Sequence, residues 1–209
     1  SKAPEMVIIK SRTNGNDWWD TYHKDIGAAN ALHLNSTMAS ADRSYFHDTN
    51  PSSTLIYLGS DRSSNGPSET FIAYAFHSVD GYSKVGSYLG NISSGTSDGT
   101  YVYTGFRPAW VMVRVLGGSS NSSYWSWTIY DNKRVAFNTN HSPLYANSNV
   151  TENYRGDGST SSGGNTLYFD FLSNGFKVMN GGTEANGTAG TSVFYMAFAE
   201  APFKYANAK

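Results

Sequence analysis

The chain has no cysteine, so a disulfide framework, a thiolate zinc site and a cysteine nucleophile are all excluded, and stability has to come from packing and backbone pairing. Charge is scarce as well. Only 15% of the residues are charged and the net charge is −1, which leaves no basic field for nucleic acid or an anionic lipid surface. Long hydrophobic runs are missing too. The longest, such as Trp110 to Val113 and Val193 to Phe198, fall far short of the ~20 residues a membrane helix needs, so a soluble chain without membrane insertion is expected. No signal peptide is recognisable, and the first apolar stretch begins almost at Ser1. Processing, or a place within a longer polypeptide, is expected.

What is present instead is aromatic and polar: 15 Tyr and 21 Gly in 209 residues, with tracts of Ser, Thr and Asn. Aromatic and β-branched residues favour a pleated surface, and Gly and Asn supply its turns. Period-2 alternation, as in Thr100-Tyr101-Val102-Tyr103-Thr104 and Ser126-Trp127-Thr128-Ile129-Tyr130, adds to the same reading. The chain reads as all-β. One short stretch, Ile26 to Leu32, could form one or two helical turns.

The second feature is repetition. Pro4 to Lys10 recurs as Pro108 to Arg114, 104 residues on; Trp19-x-x-Tyr22 recurs as Trp127-x-x-Tyr130, 108 on; Leu32 to Ser36 recurs as Leu144 to Ser148, 112 on; Phe71 to Phe76 recurs as Val193 to Phe198, 122 on. Four different patterns keep their order while the offset only grows, as a duplication with loop insertions would. Two units follow, 1–82 and 83–209. Between the landmarks, Ser83 to Gly90 reads as a glycine- and serine-rich turn and Gly99 to Phe106 as a strand pair leading into the second unit. Nothing equivalent precedes Pro4, so the first unit is expected to present an unfinished sheet edge, completed by upstream strands or by a partner.

Candidate chemistry is thin. A glycosidase needs two carboxylates roughly 5 to 9 Å apart, and the five Glu are Glu5, Glu69, Glu152, Glu184 and Glu200, none in a Glu-x-Asp-x-x-Glu arrangement; all read as surface carboxylates. His23, His33, His47, His77 and His141 show no zinc spacing, and no serine sits in a Gly-x-Ser-x-Gly elbow. His77 reads as locally hydrogen-bonded near Asp80. No metal and no cofactor is expected: the Tyr154 to Ser159 and Ser97 to Gly99 segments carry one carboxylate each, where a calcium site gathers several. Six Asn-x-Ser/Thr sequons, beginning at Asn35, Asn91, Asn121, Asn140, Asn149 and Asn186, mark polar loops. Tryptophans are the best site candidates. Trp18 and Trp19 are adjacent, so a strand turns one inward and one outward. The repeat pairs Trp19 with Trp127 as core residues, which leaves Trp18 outside as a platform for a sugar ring or a neighbouring subunit. Tyr124, Trp125, Tyr154 and Asp157 join it as ligand-binding candidates, on the loops Gly117 to Trp125 and Asn153 to Asn165; a third loop, Gly181 to Gly190, is expected to be similarly free of packing duty.

Several strings also carry a resemblance: Phe76-His77-Ser78-Val79-Asp80-Gly81-Tyr82-Ser83-Lys84, Gly105-Phe106-Arg107-Pro108-Ala109-Trp110-Val111, Ile129-Tyr130-Asp131-Asn132-Lys133-Arg134, Asp170-Phe171-Leu172-Ser173-Asn174-Gly175-Phe176-Lys177 and Met196-Ala197-Phe198-Ala199-Glu200-Ala201-Pro202-Phe203-Lys204-Tyr205. Together they span nearly the whole chain. It resembles repeated β-domain virion proteins of marine and freshwater tailed phages, including cyanophages, which pass as structural, tail-fibre or appendage proteins. The resemblance implies concanavalin-like jelly-roll sandwiches in tandem on the virion surface. It also implies contact with other virion proteins and with host surface glycans, and a homo-oligomer, with a trimer favoured by fibre symmetry. It carries no catalytic residue. A capsid-decoration or head-fibre protein is the alternative within this class; a glycan depolymerase on the same scaffold is the enzymatic one.

Overall fold

The apolar run after Pro4 forms strand β1 (Met6–Ser11). Four successive residues are buried, Met6 and Ile8 on one face and Val7 and Ile9 on the other, so this strand lies in a sheet covered on both sides. The computed structural model describes residues 2–92, 98–116, 125–135, 138, 142–149, 168–179 and 183–202. In chain order the remaining elements are β2 (Asp20–His23), β3 (Asn30–His33), β4 (Ala41–Asp42), α1 (Arg62–Asn65), β5 (Phe71–Phe76), β6 (Ser83–Leu89), β7 (Tyr101–Tyr103), β8 (Pro108–Val115), β9 (Thr128–Asp131), β10 (Leu144–Tyr145), β11 (Tyr168–Leu172), β12 (Gly175–Met179), α2 (Thr183–Asn186) and β13 (Ser192–Ala199). Among the described residues the fold is all-β and sandwich-like, with two one-turn helices.

Strands assemble into three antiparallel sheets. The first runs β4-β3-β2-β1-β5, the second β10-β9-β8-β13-β6 and the third β11-β12-β7. In the first, four strands follow one another as a meander, in the second three, and in each a later strand returns beside the first of them, which is Greek-key order. Their registers correspond as well. Val7 faces Tyr22 and Val111 faces Tyr130; Thr21 faces Leu32 and Ile129 faces Leu144; Met6 faces Phe76 and Trp110 faces Phe198. Even the turn bonds match: Asn35 Oδ1 accepts from the Trp19 N–H at 3.1 Å, and Asn147 Oδ1 from the Trp127 N–H at 2.8 Å.

The two large sheets pack face to face through Met6, Ile8 and Leu32 on one side and Val85, Met112, Trp127, Phe194 and Met196 on the other. Phe76, Met6 and His23 lie side by side across three strands of the first sheet. The two ends of that row meet one strand of the second, Phe76 against Phe198 at 6.2 Å and His23 against Phe194 at 4.4 Å between ring centroids. A row across strands therefore overlies a run along one strand, so the strands of the two sheets cross steeply. The outer face of the second sheet carries Val111, Val113, Val193 and Tyr195 against Phe169, Phe176 and Val178 of the third. The outer face of the first sheet is covered by the segment around Tyr45, Phe46, Ile56 and Leu58.

Three sequence expectations change. Ser83 to Leu89 is a strand, paired along its length with β13, not a turn. Gly99 to Phe106 supplies one short strand, β7, which pairs with β12, rather than a strand pair. Ile26 to Leu32 is not helical: it runs from a turn into β3. Gly86, the residue that makes Ser83 to Leu89 look like a turn, is instead needed for close packing, because a Cβ there would sit 3.0 Å from the Tyr195 hydroxyl.

Candidate functional site

Trp18 is 39% exposed and sits at the mouth of β2. Its ring stacks on His33 with centroids 4.8 Å apart, so one aromatic face is occupied by imidazole. Beneath lies a buried polar group. β2 and β3 pair so that Asp20 stands opposite His33, and His33 Nδ1 lies 3.1 Å from Asp20 Oδ1. The other carboxylate oxygen accepts from the Ser63 hydroxyl. Ser63 is placed by α1, whose N-cap Asp61 accepts from the Ser63 N–H at 2.8 Å, a local bond that a one-turn helix depends on. Tyr45 closes the group edge-on to His33 at 5.6 Å. Burial, with the carboxylates of Asp20 and Asp61 beside it, pushes the Tyr45 phenol above its ordinary value.

Serine, histidine and aspartate together invite comparison with a hydrolytic triad. In a triad the imidazole lies between hydroxyl and carboxylate and takes the hydroxyl proton. Here the carboxylate lies in the middle, Ser63 donates to it, and Asp20 is 0% exposed. The imidazole therefore does not stand where it would take the hydroxyl proton. The group ties the third strand of the sheet to the short helix that precedes its last-placed strand. The second sheet makes the corresponding tie with other residues: Tyr145, opposite Thr128, donates its hydroxyl to Glu184 of α2 at 2.9 Å.

The described glutamates are also held by partners. Glu5 accepts from the Ser78 N–H at 2.6 Å and from Lys24 at 3.1 Å; burial pushes its pKa up, but these bonds outweigh it and the net value lies below normal. Glu69 accepts from Ser11 at 2.7 Å and from Arg62 at 2.7 Å, and the Ser11 bond holds its pKa down. Glu5 and Glu69 flank opposite ends of β1, a strand length of roughly 20 Å, far beyond the spacing of a glycosidase pair. Glu200 pairs with Arg107 at 3.0 Å and accepts from Asn132 at 2.8 Å. Glu184, expected on the surface, is buried at the Tyr145 tie; Glu152 lies outside the described residues. His77 Nδ1 bonds the neighbouring Ser78 carbonyl at 3.0 Å, a local bond as expected. Among the described residues no group of three or more His, Cys, Asp or Glu could hold a metal ion, and no helix is long and apolar enough to cross a membrane.

Of the expected ligand-binding residues, Trp18 is exposed and Trp125 is half-buried against the core between the second and third sheets. Tyr124, Tyr154 and Asp157 lie outside the described residues, as does most of the loops Gly117 to Trp125 and Asn153 to Asn165. The Gly181 to Gly190 segment departs from expectation: its helix buries Glu184, Ala185 and Asn186, so it serves packing. The Asp20, His33 and Ser63 group escaped sequence reading, although a charged Asp inside an apolar strand pattern was its signal. No curated protein and no solved structure matches the chain. Residues 1–202 match the family described as a domain of unknown function (DUF7483), and the chain belongs to that family.

Proposed function

We propose that this chain is a non-catalytic assembly and adhesion module on the surface of a phage virion, of tail-fibre or appendage type, and that it acts as a homo-oligomer contacting other virion proteins and host glycans. One observation carries the non-catalytic part: every described glutamate is already held by a base, a hydroxyl or an amide, and the Ser63, His33 and Asp20 group is a buried tie with its carboxylate in the middle. The virion assignment rests on the sequence resemblance. Tandem duplication of a jelly-roll-like unit belongs to the same reading. It is supported by the Greek-key order shared by the two large sheets and by registers that repeat the sequence offsets pair by pair.

Recognition falls to aromatic faces and hydroxyl-rich loops, which suit the many hydroxyls of a glycan. Contacts of this kind are weak singly, and oligomerisation strengthens them by ~10²- to 10⁴-fold. The test is adsorption of the purified protein to host cells. Trp18→Ala, or shortening of the Asn153 to Asn165 loop, is expected to lower adsorption without loss of fold. Release of reducing sugar from host polysaccharide by the wild-type chain would establish the depolymerase instead.

A further inference from the structure

The two large sheets differ at one edge. In the second sheet β13 is flanked on both sides, by β8 and by β6, and Val193 to Ala197 are all buried. In the first sheet the corresponding strand, β5, has β1 on one side and no described strand on the other. Its sequence, Phe-Ile-Ala-Tyr-Ala-Phe, has no charge, no proline and no bulge, the features with which exposed edges are normally protected. Ile72 is 38% and Tyr74 43% exposed, and Ala73 and Ala75 are exposed between and beside them.

Backbone geometry dictates how this edge can be used. The Arg12 N–H donates to the Thr70 carbonyl. In an antiparallel ladder this turns the backbone groups of Thr70, Ile72 and Tyr74 towards β1 and those of Phe71, Ala73 and Ala75 outward. β13 uses the matching residues, Val193, Tyr195 and Ala197, against β6.

We propose that β5 pairs antiparallel with β5 of a second copy of this chain, about a two-fold axis at Ala73. With outward groups on every second residue, this register sets Ala73 opposite Ala73 of the second copy and Phe71 opposite its Ala75, each pair exchanging two backbone hydrogen bonds. Ile72 then faces Tyr74 of the second copy on both sides of the axis. The two exposed large side chains thus cover each other as an aromatic and β-branched pair. Uncharged side chains along the strand leave nothing to repel a second identical strand, and the contact is self-complementary, as a two-fold interface must be. Pairing closes with two copies, not the three expected from fibre symmetry, and joins the first sheets of both chains into one. The inference stands independently of the virion reading.

Absence of cysteine makes the register directly testable. Residues opposite each other in a hydrogen-bonded antiparallel pair have Cα atoms ~5.5 Å apart, within reach of a disulfide. Under mild oxidation Ala73→Cys is expected to cross-link to a covalent dimer, whereas Ala75→Cys, which faces Phe71, is not. In sedimentation at micromolar concentration the wild-type chain is expected to run as a dimer. Ala73→Pro removes an outward N–H without touching the β1 ladder, so it is expected to weaken association at least tenfold, about 1.4 kcal/mol, with unchanged circular dichroism. A monomeric wild type, equal cross-linking at both positions, or dimerisation undiminished in Ala73→Pro would overturn the proposal. So would binding of a peptide with the β6 sequence to a monomeric wild type, which would give the edge to a β6-like strand.

Discussion

Two buried side chains carry charge chemistry that the fold suppresses. The His23 ring packs against Phe194 between the sheets, and its Nδ1 accepts from the Asp25 N–H at 3.2 Å. A proton on that nitrogen would face a donor. Burial, only partly opposed by the Asp25 carboxylate, brings the His23 pKa from 6.5 down to about 4. The unfolded chain therefore takes up a proton between pH 6.5 and 4 that the folded chain refuses. The stabilisation is complete above pH 6.5 and falls as pH drops through that window, by up to about 3 kcal/mol. Urea titrations at stepped pH are expected to show this slope in the wild type and to lose it in His23→Gln. Arg114 is the second case. It occupies the position in β8 that Lys10 occupies in β1; Lys10 donates to the carbonyls of Asn14, Gly15 and Asp17, whereas Arg114 Nη2 reaches the Met38 carbonyl at 2.7 Å, Nε and Nη1 have no hydrogen-bond partner among the described residues, and burial lowers its pKa to about 10. Replacing a buried, poorly paired charge by an apolar side chain often stabilises. Arg114→Met is expected to raise unfolding free energy by roughly 1 to 3 kcal/mol; a loss of stability would show that the charge is compensated. At this scale the inward and outward turn of Trp19 and Trp18 was legible from alternation and repetition. The Asp20, His33 and Ser63 group was not, because it needs α1, set 43 residues along the chain from Asp20 to Ser63, to be folded back over the sheet.

Strands whose side chains alternate or cluster were legible, and the sequence offsets of 104, 108, 112 and 122 recur between the registers of the two large sheets; which strands pair was not legible. β6 was not, since Gly86 signals a turn locally and only the Tyr195 ring above it explains why glycine stands in a strand. The third sheet was half legible: Tyr101 to Tyr103 alternates, but its partner β12 lies more than seventy residues on, a pairing that local pattern does not reveal. Gly99 seats this sheet. A Cβ there would stand 1.6 Å from the Val178 carbonyl oxygen, closer than any relaxation of one residue can absorb. Gly99→Ala is therefore expected to cost several kcal/mol, read as a lowered urea midpoint, with amides of β7 and β12 exchanging faster than those of β1. Unchanged exchange in β12 would refute that placement.

Among the described residues the first and second sheets share the core cluster that lies between them. Trp127, just before β9, is buried between the sheets, and its indole N–H donates to the His33 carbonyl of β3 at 2.9 Å. The chain is expected to unfold in a single transition, and Trp127→Ala to cost about 3 to 5 kcal/mol, with amides in β1 and in β8 losing protection together; loss confined to β8 would mean two independent units. A place on the outside of a virion, without catalysis, is what we propose for this chain. It is tested most directly by gold-labelled antibody against this chain on intact particles in electron micrographs. The account predicts label on external appendages, at the tail or, in the alternative, along the capsid surface. Particles that stay unlabelled, while the same antibody detects the protein in infected-cell lysate, would contradict it.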